Sequence, residues 1–411
     1  MTQPSVADPA APALPPARQL YGSFVIGLFS VTVLDLYALI VPLFAISFGA
    51  GPAEIGLLAG ARSAGPALFS LHGGSLVDRL GTRRVLFGGS LATAVVALLI
   101  PALPWFWPLF FLQFASGLLT TFNWIASQAL IGHLSQGDAK ILGRYNFVVR
   151  AGTIAGPVAA GALWDFAGAW PTFGAIFIIA VSLHILARFA PEPDAALATS
   201  ARPPLLSALP RLADYTRSLK LMLIPVIAFT IIISTLRNGM NGVQTSVYIS
   251  YLQQIGYAGT MIGVLFGTAE LTLALTSLAV GTVKRFGPSE WVLWGTSVIC
   301  IIAVSATPFL GGVFPLLLLM QIIIGAGQGF MQPIMFSIQS RMVGKDHQGA
   351  VVGLRMTANR FSNMVTPLIA GFFVVIASLE ASFVMIGALF LAAAAVVAVI
   401  MARRKDFKLI S

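Results

Sequence analysis

The chain has 411 residues, of which 57% are hydrophobic and only 9% are charged, and its mean hydropathy is +0.90. A soluble domain cannot bury that much apolar surface, so the composition excludes an ordinary soluble protein and indicates an integral membrane protein. The formal net charge of +10 is therefore expected to face anionic lipid headgroups rather than nucleic acid.

Twelve mainly apolar stretches follow one another, separated by turns that are charged or rich in Gly and Pro. A membrane-spanning helix needs about 20 such residues. The sequence predicts an all-α integral membrane protein whose 12 transmembrane helices form two pseudo-symmetric six-helix bundles. We place the spans near residues 20–46, 54–77, 84–102, 108–132, 144–166, 170–189, 221–250, 258–282, 290–306, 314–340, 351–376 and 381–402.

Lys and Arg are distributed unevenly among the connections between these spans. They are absent from the six alternate connections, near residues 47–53, 103–107, 167–169, 251–257, 307–313 and 377–380. Positive residues mark the cytoplasmic side of a membrane protein. We therefore expect a multi-pass protein of the cell inner membrane with both termini in the cytoplasm.

The same pattern divides the chain into regions. Residues 1–19 and 403–411 are expected to be cytoplasmic tails, the first of them disordered and rich in Pro and Ala. Residues 20–189 and 221–402 are expected to form the two bundles, and residues 190–220, which are poorly apolar, the cytoplasmic linker between them.

Two segments of the first half recur in the second. Residues 48–60 align with residues 255–267, and residues 143–161 align with residues 353–371. In the second alignment Arg150 falls on Arg360 and Pro157 on Pro367. Many transporters are built from two related halves around a binding site at the membrane midplane.

Between the second and third spans the sequence reads Gly74-Ser-Leu-Val-Asp78-Arg79-Leu-Gly81-Thr-Arg83-Arg84. This segment resembles the loop signature of the major facilitator superfamily. The resemblance implies a secondary transporter in which Gly74, Asp78, Arg79, Gly81, Arg83 and Arg84 form a latch between the bundles in one of the alternating-access states. A simple positive stop signal would explain the arginines but not the spaced glycines and the acid.

The fifth span carries a second pattern, formed by Gly143, Gly152, Gly156, Pro157 and Gly161. It resembles the fifth-span motif of the drug:proton antiporter branch of that superfamily, and the resemblance implies export. Ordinary close packing of helices is the alternative explanation. The fourth-span arginine of that branch is replaced here by Gln113, which puts proton coupling through that position in doubt.

Charged residues inside the spans are energetically costly and are candidates for function. They are Asp35, Arg62, Arg150, Arg237, Glu270, Arg355 and Arg360. All of them fall on spans 1, 2, 5, 7, 8 and 11, which in the resembled superfamily line the central cavity. Five arginines against two carboxylates predict a positive cavity that attracts anions.

We expect Asp35 and Glu270 to carry coupling protons, because an apolar site disfavours the charged form of a carboxyl group. A permanent ion pair with a nearby arginine is the alternative for each. Arg150, Arg355 and Arg360 are expected to line or gate the cavity. The predicted substrate contacts are Arg62, Arg237, Asn241, Gln244, Gln113, Asn123, Gln321 and Gln328.

The sequence predicts a secondary active transporter that exports a small organic compound, amphipathic or anionic, by alternating access coupled to protons. The alternative is an importer or exchanger of organic anions that uses the arginines without protons. An enzyme is not expected, since no nucleophile with a base and no paired acids occur at a suitable site. No cofactor or metal site is expected, because the four histidines lack metal-ligand spacing. The expected partners are substrate, protons and membrane lipids, and the expected state is a monomer.

Overall fold

The computed structural model describes residues 16–135, 138–191, 220–279, 289–310, 312–342 and 348–403. These residues form twelve long helices and no strand. The seventh helix contains a five-residue π-helical segment, Gln244–Tyr248. In chain order the helices are α1 (Ala17–Ser47), α2 (Pro52–Leu80), α3 (Thr82–Ala102), α4 (Phe106–Ser135), α5 (Ala139–Ala167), α6 (Ala169–Ala187), α7 (Pro225–Gln254), α8 (Gly259–Leu278), α9 (Ser289–Ser305), α10 (Phe314–Met342), α11 (Gln348–Ile376) and α12 (Leu379–Arg403).

The predicted fold class is confirmed. Ten of the helices are long and apolar enough to cross a membrane, and α9, with 17 residues, is a shorter apolar helix. The helix ends differ from the predicted spans by a few residues: α7 ends at Gln254 and α11 begins at Gln348. Apolar composition marks only the part of a helix that faces hydrocarbon, whereas the backbone hydrogen bonds continue into the polar residues at each end.

Each half of the chain packs as one bundle. In the first half α3 packs against α4 and α6, and α1 packs against α4 and α5. In the second half α10 packs against α8 and α9, and α12 packs against α9 and α11. The two bundles meet where α5 runs along α8 and where α2 runs along α11.

Both of these contacts are antiparallel. Gly161 near the end of α5 lies beside Gly259 at the start of α8, and Ile154 lies beside Gly267. The starts of α2 and α8 and the ends of α5 and α11 therefore lie on one face of the molecule, which we call the far face. The opposite face, where α1 begins and α12 ends, is called the terminal face.

The apolar core differs between the two faces. In the half toward the far face, one continuous cluster of buried residues includes Tyr37 and Phe173 of the first bundle and Tyr248 and Phe383 of the second. In the half toward the terminal face, the described residues form separate clusters, each confined to one bundle. The bundles are thus joined by apolar packing at the far face and divided toward the terminal face.

Candidate functional site

Six of the charged residues predicted inside the spans lie together between the bundles, about midway along the helices. They form what we call the central charge cluster: Asp35, Arg62, Arg150, Arg237, Glu270 and Arg360. The charges of Arg62, Arg150 and Glu270 act on Asp35. Glu270 also acts on Arg237, and Arg360 acts on Arg62. Charges from both halves of the chain therefore share one site.

One ion pair joins the bundles inside this cluster. Arg150 Nη1 of α5 lies 2.7 Å from Glu270 Oε2 of α8, and the two side chains are 38% and 31% exposed. Such exposure in the middle of the fold means that both side chains face a space open to water. Of the two alternatives for Glu270, a proton carrier or an ion-pair partner, the structure contains the ion pair.

Asp35 differs from Glu270 in this respect. The described part of the chain provides no hydrogen bond and no ion pair to the Asp35 carboxylate, although positive charges lie close enough to act on it. A carboxylate without a fixed partner can gain or lose a proton without breaking a bond in the protein.

Two arginines of the cluster have unsatisfied donors. Arg62 donates a hydrogen bond from Nη2 to the carbonyl oxygen of Leu34. Its Nε atom, like the Nε atom of Arg237, is buried with no acceptor among the described residues. Buried donors are normally paired, because an unpaired one costs about 1–3 kcal/mol. Both atoms are covered by other protein atoms in this conformation, so an acceptor reaches them only when neighbouring groups move.

The cluster has an excess of positive charge. Four guanidinium groups stand against two carboxylates, one of which already neutralises Arg150. Arg355, predicted to line or gate the cavity, is buried in α11 with 5% of its surface exposed. A polar space with surplus guanidinium groups is suited to binding a carboxylate or a phosphate.

The predicted amide contacts of the first bundle are buried in its interior. Gln113 accepts a hydrogen bond from Ser116 Oγ at 2.9 Å. Asn123 donates to Thr93 Oγ1 at 3.3 Å. These bonds lie within the bundle, and they link α4 to itself and to α3.

In the second bundle, the predicted contacts Gln244 and Gln321 form a buried chain of hydrogen bonds. Gln244 Nε2 donates to Gln321 Oε1 at 3.2 Å, and Gln321 Nε2 donates to Tyr248 Oη at 2.8 Å. This chain ties the π-helical segment of α7 to α10. Asn241 and Gln328, the remaining predicted contacts, are half-buried.

The glycines of the fifth-span pattern lie at two different interfaces. Gly152 and Gly156 face Thr32 of α1, inside the first bundle. Gly161 and Pro157 face Gly259 and Gly263 of α8, in the other bundle. Gly143 has open space beside it.

The predicted loop latch is only partly described. The α2–α3 turn passes through Gly81 at φ +85°, a left-handed conformation that glycine adopts without strain. Arg83 and Arg84 are exposed and line a groove together with Arg188 and Phe87. The surroundings of Gly74 and the side chains of Asp78 and Arg79 lie outside the described residues.

A link at the far face was not predicted. Asp165 near the end of α5 accepts hydrogen bonds from the backbone N–H groups of Gly259 and Thr260, at 2.8 and 2.6 Å, and from Thr260 Oγ1 at 2.6 Å. It thereby caps the start of α8 from the other bundle. The available signal was Ala258, which occupies the N-cap position of α8 and has no side chain that could cap it.

The two places where the bundles cross repeat the same packing. In the α5–α8 crossing, defined as residues 150–165 against 259–270, Gly263 faces the carbonyl of Pro157 and Gly267 that of Ile154. In the α2–α11 crossing, residues 53–63 against 360–371, Gly56 faces the carbonyl of Pro367 and Gly60 that of Met364. These two glycine-to-carbonyl contacts of one crossing have their aligned counterparts in the other.

Comparison with known proteins agrees with this architecture. The sequence profile of the Major Facilitator Superfamily matches residues 23–240 and 227–409. No curated protein sequence matches the chain significantly.

Similar solved structures come from several transporters. A mutant of the nucleoside transporter NupG is 12% identical, with a TM-score of 0.77 over 93% of this chain and 99% of that one. A POT family transporter in complex with 5-aminolevulinic acid is 13% identical, with a TM-score of 0.70 over 93% and 95%. The human organic anion transporter MFSD10 (TETRAN) is 16% identical, with a TM-score of 0.64 over 93% and 100%. At these identities the likeness concerns the fold.

Proposed function

Because the chain belongs to the Major Facilitator Superfamily and has the fold of a membrane transporter, we propose that it carries a small organic anion across the membrane, coupled to protons. The observation that carries this proposal is the excess of guanidinium groups in the central charge cluster, with the Nε donors of Arg62 and Arg237 unsatisfied. A carboxylate or phosphate on the substrate would balance this charge.

The shape of the molecule supports access from one side at a time. The apolar core joins the bundles at the far face and divides toward the terminal face. The site would then be reached from the terminal face, which the distribution of Lys and Arg assigns to the cytoplasm. Transport requires the bundles to part at the far face and to close at the terminal face, where the predicted loop latch lies.

Asp35 is the proposed proton carrier. A proton bound to its carboxylate would remove one negative charge from the cluster and strengthen the binding of an anion. By linkage, a bound anion would raise the affinity of Asp35 for its proton to the same degree. This reasoning favours movement of anion and proton in the same direction. Glu270, held by Arg150, would serve as a fixed link between the bundles.

Proton-coupled export is the second candidate function. It is favoured by the fifth-span glycine pattern and requires the proton and the substrate to compete for the site. The two candidates differ in the direction of proton movement when a substrate gradient is imposed. Exchange of anions without protons would leave the internal pH unchanged.

The proposal is tested with purified protein in liposomes and a panel of labelled anionic, neutral and cationic solutes, including benzoate and inorganic phosphate. We expect saturable uptake of an anionic solute by the wild type and a large loss of uptake in Arg237→Gln. The matched control is Arg144→Gln, which removes an exposed arginine from α5 outside the cluster. Saturable transport restricted to cationic or neutral solutes would contradict the proposal.

A further inference from the structure

The two crossings align residue by residue in sequence and share their glycine-to-carbonyl contacts, and this register locates one group of the substrate. On α8 the residues that face α5 are Gly263, Gly267 and Glu270. They are spaced four and three residues apart and so lie on one face of the helix. On α2 the residues with the same spacing are Gly56, Gly60 and Ser63, so Ser63 is the counterpart of Glu270.

The helices on the other side of each crossing, α5 and α11, align in the same register. On α5 the residues facing α8 are Pro157, Ile154 and Arg150, and their aligned counterparts on α11 are Pro367, Met364 and Arg360. Arg150 is the partner of Glu270 in the first crossing. By the same register, Ser63 is the position that corresponds to Glu270 opposite Arg360 in the second crossing.

The second crossing lacks the carboxylate that completes the first. Arg360 has no ion-pair partner among the described residues, and its charge acts on Arg62 of the opposing helix. Ser63 is half-buried and carries a hydroxyl group that can donate a hydrogen bond to an anion. At this level the second crossing carries two guanidinium groups and a hydroxyl group, and the position aligned with Glu270 has no carboxylate; Asp35 of α1 acts on Arg62 from outside the crossing.

We propose that the anionic group of the substrate, a carboxylate or a phosphate, binds between Arg360 and Ser63, in the place that the Glu270 carboxylate occupies in the other crossing. This inference rests on the proposed function. It adds that the substrate bridges α2 of one bundle and α11 of the other, as Glu270 bridges α5 and α8. Binding of the substrate then links the bundles at the α2–α11 crossing, where the protein without substrate has no such link.

The test supplies the missing carboxylate with the variant Ser63→Glu. Its matched control is Ser63→Gln, which has nearly the same size and no charge. Because the introduced carboxylate would pair with Arg360 across the crossing, we expect a melting temperature at least about 2 °C above that of the Gln variant, without any anion present. Since the anion site is then filled, affinity for benzoate and for inorganic phosphate should be at least about tenfold weaker than in the Gln variant.

The reciprocal variant Glu270→Ser gives the first crossing the composition of the second. It is expected to bind a second anion at Arg150, so that equilibrium dialysis with labelled benzoate or phosphate finds two anions per chain where the wild type binds one. If the Ser63→Glu protein does not fold, the number of anions bound by Glu270→Ser tests the proposed site instead.

Equal melting temperatures and equal anion affinities in the Glu and Gln variants would overturn the inference, as would one anion per chain in Glu270→Ser. The proposed function fails separately, by the absence of anion transport in the wild type. Anion transport that is insensitive to charge at position 63 would leave the proposed function standing and remove only the bridging site.

Discussion

The α5–α8 crossing and the α2–α11 crossing have the same packing and different charges. Glycines face aligned carbonyls in both, and Arg150 and Arg360 occupy equivalent positions. Only the α5–α8 crossing has a carboxylate, Glu270, opposite its arginine. The aligned backbone contacts are therefore the same in both halves of this chain. The side chains that differ are Glu270, which forms a link between the bundles, and Ser63, where we propose that the substrate anion binds.

The far-face ends of the two crossings differ in the same way. The start of α8 is capped across the interface by Asp165. The start of α2 is capped within its own bundle, where Glu54 accepts a hydrogen bond from the Gly51 N–H at 2.7 Å. The α5–α8 crossing is therefore linked by polar groups at its middle and at its end. The α2–α11 crossing depends on apolar packing, and we expect it to respond more to the substrate.

The largest effect is expected from removing a cluster arginine at the α2–α11 crossing. Arg360→Gln should lower kcat/KM for the transported anion by about 100-fold or more, because a buried charge-assisted contact to an anion is lost. Initial rates in proteoliposomes measure this. Arg144→Gln, at an exposed position, controls for the change in net charge. A loss of less than threefold in Arg360→Gln would place the anion elsewhere.

Next in size is the effect of adding a methyl group to the packing of either crossing. A Cβ atom at Gly56 would lie 2.5 Å from the carbonyl oxygen of Pro367, and one at Gly263 would collide with the carbonyl of Pro157. Gly56→Ala and Gly263→Ala should each destabilise the closed far face by about 1–3 kcal/mol. Thermal unfolding in detergent measures the loss, and Gly143→Ala, which has open space beside it, should show none. Strongly unequal losses at positions 56 and 263 would contradict symmetric packing.

A smaller effect is expected from breaking the inter-bundle ion pair. Glu270→Gln should cost about 1–2 kcal/mol of stability, a value kept low because water reaches both side chains of the pair. A double-mutant cycle with Arg150→Gln isolates the coupling between the two residues. Additive losses in that cycle would show that the pair does not link the bundles in solution.

The smallest effect is expected at the far-face cap. Asp165→Asn keeps one acceptor oxygen and loses the charge, so closure should weaken by about 0.5–1 kcal/mol. The population open at the far face should rise accordingly. Spin labels at the exposed residues Trp105 and Gln254, in a Cys300→Ser background, report the distance between the bundles at this face. An unchanged distance distribution would mean that the cap does not contribute to closure.

The fold and the place of the charges could be predicted from the sequence, because both depend on local composition. Runs of apolar residues locate the helices, and costly charges such as Asp35 and Arg62 stand out within them. The pairing of those charges could not be predicted. Whether Glu270 meets Arg150, or Asp165 meets Gly259, depends on the register between helices of separate bundles. That register follows from packing in three dimensions.

The partners of the buried side-chain amides could not be predicted from the sequence either. Gln113 and Gln321 were predicted as substrate contacts because polar residues inside spans suggest a cavity. The structure gives each a hydrogen bond within its own bundle, to Ser116 and to Tyr248 respectively. Residue type alone does not distinguish an amide that links helices from one that faces a ligand. Their part in binding substrate remains a prediction.

Proton movement driven by an anion is the most direct test of the central claim, that Asp35 couples protons to the transport of an organic anion. Liposomes containing the purified protein and an internal pH dye are exposed to an inward gradient of the anion that the panel identifies. The account predicts acidification of the interior by the wild type and its loss in Asp35→Asn, with Asp138→Asn, at the start of α5, behaving as wild type. Anion uptake without any change of internal pH, or acidification that is undiminished in Asp35→Asn, would contradict it.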